Sequence, residues 1–268
     1  MAFRSLLFVP GNRPDRFDKA CQTEADLVCI DLEDAVSPDE KVKARETVLS
    51  YLSGTSFDHV GVRLNALDND YGQADVKAFK KTRLDLPFIM VPKVANGQQI
   101  AALSKDLPES LGALFPVVES AKGVRNVDAI FDHPRVKYSI FGAIDYSADI
   151  GSDMEWETML YARSHLVASA HAYDVTLFDT PYSDVRDPEG CRQATERAKK
   201  IGIFARSAIH PTQVTAIHDA LRPSEADIAQ AQRVIEAMEA AGGNVALLDG
   251  KLLEEPVVKK ARRVLDFI

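Results

Sequence analysis

Eight short apolar runs alternate with polar, helix-forming segments along this chain, and few architectures accept that rhythm. The runs are Ser5–Val9, Leu27–Asp31, Val60–Leu64, Phe88–Val91, Leu114–Val118, Tyr138–Phe141, Val175–Phe178 and Ile203–Ser207. Strands covered on both faces read as near-continuous hydrophobe, and strand–helix repeats join parallel neighbours. Eight of them predict closure into an α/β fold of the (β/α)8 TIM-barrel type, for which 268 residues suffice. The barrel is expected over residues 1–222. A helix is expected from His210-Pro211 to about Leu221, and Arg222-Pro223-Ser224-Glu225 opens another through Gly242. Residues 223–268 read as a helical C-terminal extension.

Composition removes several classes of function. A net charge of −8 and the lack of basic runs interleaved with aromatics leave no footprint for nucleic acid. No apolar stretch approaches the roughly 20 residues that cross a bilayer, so no membrane partner is expected. Cys21, Cys29 and Cys191 form no CxxC pair, and Met1-Ala2-Phe3-Arg4 lacks the layout of a signal peptide, which together predict a cytoplasmic protein. The fingerprints GxGxxG, GxxxxGK[ST], GxSxG and HExxH are absent, which removes support for dinucleotide, P-loop, serine-hydrolase and zincin readings.

Polar residues that end apolar strands carry the functional signal, because a doubly covered strand has little other use for them. They stand in Asp31-Leu32-Glu33-Asp34, Arg63-Leu64-Asn65, Pro92-Lys93, Glu119-Ser120 and Gly142-Ala143-Ile144-Asp145. Helix caps are expected at Asn12, ahead of Pro14 and Asp15, and at Ser37-Pro38-Asp39-Glu40, a capping box with Pro38 at the first helical position. Glu33 and Asp34 precede that second cap and so belong to the carboxyl end of the barrel, where such folds do their chemistry. Carboxylates gathered on one rim repel unless a cation neutralises them. Glu119 and Asp145, ending neighbouring strands, can share one Mg²⁺ or Mn²⁺, with waters and a chelating substrate filling the octahedron. Taken singly, either carboxylate equally suits a helix cap or a Lys pair. Arg63 offers a permanent planar fork to a carbonyl or carboxylate oxygen, and also a counter-charge to Glu33. Asp31 and Glu33 project to one side of their strand, one as base and the other as orienter, and the spacing does not assign which. His210 either touches substrate or anchors its loop. Arg4, Arg13, Arg16 and Lys19 surround Pro10-Gly11-Asn12, where they suit either a phosphate-bearing ligand at a helix N-terminus or a solvated basic face.

At these residues the chain resembles the citrate lyase β-subunit-like family, part of the superfamily of metal-dependent 2-keto-acid aldolases (HpcH/HpaI). The resemblance runs end to end through Arg4-Ser5-Leu6-Leu7-Phe8-Val9-Pro10-Gly11, Asp31-Leu32-Glu33-Asp34-Ala35-Val36, Arg63-Leu64-Asn65 and Val91-Pro92-Lys93. It continues through Val118-Glu119-Ser120-Ala121-Lys122-Gly123, Phe141-Gly142-Ala143-Ile144-Asp145, Ile209-His210-Pro211-Thr212-Gln213 and Asp249-Gly250-Lys251. It implies a TIM barrel working as a homo-oligomer, commonly a trimer, with the extension contacting a neighbouring subunit. By position it makes Glu119 and Asp145 the Mg²⁺ ligands and Arg63 the oxyanion partner. Glu33 with Asp34 would support Arg63 and water on the metal. Gly142 and Ala143 would meet substrate, and Arg4 and Arg13 would meet the phosphates of coenzyme A.

The activity implied is cleavage of a β-hydroxyacyl-CoA thioester of the citryl, malyl or citramalyl type to an acyl-CoA and a 2-keto acid, or the reverse. Thioester hydrolysis and aldol cleavage of a free 2-keto acid use the same site, and a subunit silent outside a larger lyase complex is the non-enzymatic alternative. Two stretches depart from the family. Relatives that process CoA esters carry a catalytic Asp in Met-Ile-Asp-x-Pro, where this chain has Leu252-Leu253-Glu254-Glu255-Pro256; Glu254, one methylene longer, either takes that role or is a salt-bridged surface residue. Many relatives show Gly-Lys where Arg206-Ser207 stands.

Overall fold

The computed structural model describes residues 3–54, 57–242 and 246–267; Met1 and Ala2 of the N-terminal stretch read above lie outside them, as do residues 243–245 and 268 of the extension. All eight apolar runs become strands, with ends moved by a residue or two: β1 (Ser5–Pro10), β2 (Leu27–Asp31), β3 (Val60–Arg63), β4 (Phe88–Val91), β5 (Ala113–Val118), β6 (Tyr138–Phe141), β7 (Thr176–Asp179) and β8 (Ala205–Ala208). They pair in parallel and in chain order, and β8 returns to β1 through Ser5↔Arg206, closing the barrel. Leu6, Leu27, Cys29, Phe88, Met90, Phe115, Val117, Ile140, Phe178 and Ala205 form its packed interior. Gly61 in β3 belongs to that packing, since a Cβ there would stand 2.4 Å from the Phe88 ring.

Between and after the strands run α1 (Phe17–Cys21), α2 (Lys41–Ser53), α3 (Asp70–Phe79), α4 (Gly97–Asp106), α5 (Ala121–Arg125) and α6 (Val127–Phe131). They are followed by α7 (Ala143–Ile150), α8 (Trp156–Ala172), α9 (Pro188–Lys200) and α10 (Pro211–Leu221). Two predicted caps need correction. The Ser37 hydroxyl donates to Glu40 Oε2 (3.0 Å) and Asn12 Nδ2 donates to the same oxygen (2.7 Å). Glu40 is therefore occupied as an acceptor from two sides, residues 38–40 close an isolated turn, and α2 starts only at Lys41 without a side-chain cap. Asn12 likewise caps nothing, and the short 3-10 turn Pro14–Arg16 starts from Arg13. Glu33 and Asp34 still precede the helix, so their placement at the carboxyl ends survives.

The amino ends of the strands are fastened by Asp26. Its Oδ2 accepts from the amides of Arg4 (2.7 Å) and Ser5 (2.9 Å), and it lies 3.3 Å from His218 Nε2. Ser5 Oγ meets that same ring nitrogen at 2.8 Å. Serine and aspartate share one histidine nitrogen here, and Ser5 is fully buried, so the trio is a clasp rather than a nucleophilic triad, in which the ring bridges its partners through both nitrogens.

Beyond Ala220 the chain forms a second compact unit. It holds α11 (Glu225–Ala240), the antiparallel pair β9 (Leu247–Leu248) and β10 (Lys251–Leu252), and α12 (Glu255–Leu265) around Ala231, Val234, Ala246, Leu253, Val258 and Ala261. Ser224 caps α11 in a reciprocal box with Asp227. Asp249 and Gly250 both take positive φ (51° and 75°), the backbone that a tight two-residue hairpin demands. Among the described residues no helix is long and apolar enough to cross a membrane. Replacing Asp26 by Ala strips two amides and a hydroxyl of their acceptor, and should lower stability by about 2 kcal/mol or more in denaturant melts followed by circular dichroism.

Candidate active site

At the carboxyl ends of β2 and β3, Asp31 lies in register with Arg63. Arg63 Nε and Nη2 donate to the two Asp31 oxygens at 2.7 and 2.6 Å, the bidentate geometry that only a guanidinium provides. Its Nη1 lies 3.0 Å from Glu33 Oε2 and 3.4 Å from Asp34 Oδ2. One cation thus gathers three carboxylates, and its own face rests over the Phe8 ring at 5.0 Å. Burial opposes the Arg63 charge, yet Asp31 and its neighbours hold the guanidinium protonated beyond its ordinary range. The Asp31 carboxylate also accepts from the amides of Glu33 (2.8 Å) and Ala35 (3.1 Å), which shapes the loop that presents Glu33 and Asp34. Lys41 clamps the same loop through the carbonyls of Leu32 (3.0 Å) and Glu33 (2.9 Å). The sequence marks Asp31 only as one of two same-side acids and assigns Lys41 no role. The available signal was a lysine at the first position of a helix, where the dipole disfavours it unless something else binds it.

Glu119 follows β5 directly and is 5% exposed. Its Oε1 accepts from the Lys93 amide at 2.6 Å. Against the expectation from sequence, Asp145 does not end β6 but sits in the first turn of α7, close enough to Glu119 for its charge to act on it. Gly142 between them has no alternative, because a Cβ would meet Glu119 Cβ at 2.5 Å and Oε2 at 2.7 Å. Burial, and after it the charge of Glu33, pushes Glu119 well above the usual carboxylate range. Burial likewise raises Glu33 to about 7, against the pull of Arg63. The ion pairs of this region go to Asp31, Glu33 and Asp34, with Lys93 Nζ 3.4 Å from Glu33 Oε1; among the described residues none pairs with Glu119 or Asp145.

These side chains frame a cavity of ≈ 330 Å³, lined by Asp31, Asp34, Arg63, Glu119, Gly142 and Asp145 among apolar walls. Glu33 does not line it and stands behind Arg63 and Lys93; Ala143 is fully buried and does not line it either. Arg4 needs correction as a phosphate-binding candidate. It precedes β1, at the amino ends of the strands, and its Nε lies 3.8 Å from Asp26. Arg13 sits in the first loop at the carboxyl end, exposed and held by Asp15 at 2.9 and 2.8 Å. His210 Nδ1 meets Thr212 Oγ1 at 2.8 Å, an anchor for the start of α10. Glu254 is the residue before α12, exposed and without a side-chain cap bond.

The family described as HpcH/HpaI aldolase/citrate lyase matches residues 4–211. A (3S)-malyl-CoA thioesterase of Cereibacter sphaeroides is 34% identical, over 98% of this chain and 93% of the relative. An L-malyl-CoA/β-methylmalyl-CoA lyase of the same organism is 30% identical over the same shares. The crystal structure of CitE from Mycobacterium tuberculosis in complex with magnesium, acetoacetate and coenzyme A superposes with a TM-score of 0.84 at 27% identity, covering 99% of this chain and 98% of that one. The chain belongs to the HpcH/HpaI aldolase/citrate lyase family.

Proposed function

We propose that this chain is a Mg²⁺-dependent carbon–carbon lyase that cleaves a β-hydroxyacyl-CoA thioester, of the malyl, citramalyl or citryl type, to an acyl-CoA and a 2-keto acid. The observation that carries it is the meeting, in one cavity, of a carboxylate pair without an ion-pair partner among the described residues and an arginine already fixed by other carboxylates. The pair fits a hard divalent ion. Glu119 is buried and its charged form is disfavoured as it stands, so an ion there relieves a real electrostatic cost. Among the described residues no third His, Cys, Asp or Glu joins it, which suits Mg²⁺ or Mn²⁺, ions that keep positions open for water and substrate oxygens. When bound, the ion supplies positive charge to the carboxylate and carbonyl oxygens of the keto-acid half.

The rest of the reaction falls to the chain's own groups. Asp34 lines the cavity with its side chain 60% exposed, and takes the proton of the substrate hydroxyl. The carbon–carbon bond breaks as that oxygen becomes a carbonyl, and its electron pair passes to the thioester enolate. Arg63 Nη1 is taken by Glu33 and Asp34, but Nη2 gives Asp31 one N–H and has a second, which serves the oxygens on which charge grows. Asp31 and Glu33 position Arg63, and Lys41 positions their loop. Glu254 of a neighbouring copy returns a proton to the enolate carbon. That assignment goes with a homo-oligomer, a trimer, in which residues 1–222 form the catalytic barrel and 223–268 serve the adjacent site. Arg13 meets a CoA phosphate. Three unpaired cysteines fit a cytoplasmic location.

Thioester hydrolysis is the second reading, favoured by the thioesterase relative's higher identity (34% against 30%). A panel of CoA thioesters with Mg²⁺, both products followed by mass spectrometry, decides: acyl-CoA plus keto acid supports the lyase, and free CoA with the intact hydroxy acid supports hydrolysis. Glu119→Gln and Asp145→Asn should each abolish Mg²⁺-dependent turnover with an unchanged circular dichroism spectrum. Arg63→Lys should lower kcat/KM about 100-fold or more, since an ammonium cannot satisfy Asp31 and a substrate oxygen together.

A pH dependence follows as well. Glu33 keeps its proton to about 7 in the fold against 4.5 in the unfolded chain, so the folded state binds more protons in that window. In EDTA the Glu33 contribution to stability should be fully present below the lower value and decline as pH rises through the upper. Melting temperatures at pH 5 and 8 check this, and Glu33→Gln should flatten the decline.

A further inference from the structure

Lys93 takes a backbone conformation that residues with side chains rarely adopt. Its φ is 55°, one of three positive values among non-glycine residues in the described chain. The cause lies in the sheet. Strand β4 pairs with β5 as far as Val91↔Pro116, and pairing resumes where the Val94 amide reaches the Val117 carbonyl at 3.3 Å. Pro92 brings no donor to the step between, and Lys93 turns left-handed within it. That turn carries the Lys93 amide out of the ladder and onto Glu119 Oε1 at 2.6 Å, the shorter end of such bonds. On the other side Glu119 Oε2 occupies the space that the missing Gly142 side chain leaves.

We propose that Lys93 is a positioning residue whose left-handed backbone, and not its side chain, fixes Glu119 so that a single oxygen, Oε2, is left to take a cation beside Asp145. The inference rests on reading Glu119 and Asp145 as a metal pair. An amide on Oε1 draws that oxygen away from the ion, so Glu119 binds through one atom and more of the coordination shell stays open to substrate. The ammonium, 3.4 Å from Glu33 and half exposed, sits on a different carboxylate. Its removal should cost the metal little.

Two kinds of substitution separate backbone from side chain. Lys93→Gly and Lys93→Asn keep an amide and tolerate the left-handed region, whereas Lys93→Ala and Lys93→Val keep the amide and resist it, Val most. The measurement is Mn²⁺ affinity by electron paramagnetic resonance on full-length protein, with circular dichroism to confirm folding. Gly and Asn variants should bind within about threefold of the parent, and Val should bind about tenfold or more weakly, with Ala between them. Neither charge nor volume predicts that order, and if Val fails to fold, the Ala–Gly comparison carries the test. Equal weakening in Gly and Val, or parent-like affinity in Val, overturns the proposal. Glu119→Gln is measured alongside. If it loses Mn²⁺ while every Lys93 variant binds like the parent, the metal pair stands and the role of Lys93 falls; if it binds normally, the metal pair falls and takes this inference with it.

Discussion

Everything at the mouth of this barrel depends on one guanidinium among acids. Asp31 and Glu33 are almost wholly buried, and a desolvated carboxylate without a partner would neutralise itself rather than stay charged. Arg63 holds Asp31 by two short bonds and Glu33 and Asp34 by charge, which converts a repelling cluster into a fixed array. The array is not balanced everywhere. Glu33 remains high in pKa despite Arg63, and Glu119 remains higher than usual with no ion pair among the described residues. This graded imbalance gives the rim both a settled cation to steady developing negative charge and an unsettled carboxylate pair with a use for another cation.

The same logic of partnered burial recurs around the barrel with a different outcome. Asp179 at the end of β7 is fully buried and accepts from Arg163 Nε at 3.0 Å and Arg206 Nη2 at 2.6 Å. Arg206 Nη1 also donates to the Thr180 carbonyl at 2.7 Å, and Thr180 lines the cavity. The departure at Arg206-Ser207 therefore has a local account: the arginine braces the β7 loop from behind while Ser207 Oγ holds the Asp179 carbonyl at 2.9 Å. Together with the Asp26 clasp at the opposite end, it shows charged groups working on fold geometry without touching the cavity.

The order and number of strands were legible because period and polarity are written residue by residue, and a closed parallel barrel follows from eight repeats. The acidic residues of the rim were legible for a related reason: they interrupt runs that should be apolar. Asp145 was placed one element early, since nothing between Phe141 and Ile150 marks where strand becomes helix except Gly142, whose purpose is to clear space for Glu119. Arg4 was misplaced because closeness in sequence to the first loop hides the length of a strand; six residues of β1 separate the two ends of the barrel. Lys93 and Lys41 were illegible in role, as they act through a backbone angle and through main-chain carbonyls, which composition does not report.

The walls of the cavity bear on which bond breaks. Beyond the Arg63 and Glu119–Asp145 groups, the lining is Phe8, Ala35, Val117, Ile140, Ile144, Pro181 and Ile209, with Thr180 the one polar exception. Collapse of a β-hydroxy thioester needs a base at the hydroxyl and positive charge at the oxygens, and both lie in the polar clusters. Hydrolysis needs in addition a water molecule held against the thioester carbonyl, with a base to activate it. The proposed cleavage therefore draws on groups the cavity already presents, whereas hydrolysis draws in addition on a water molecule placed at the thioester carbonyl.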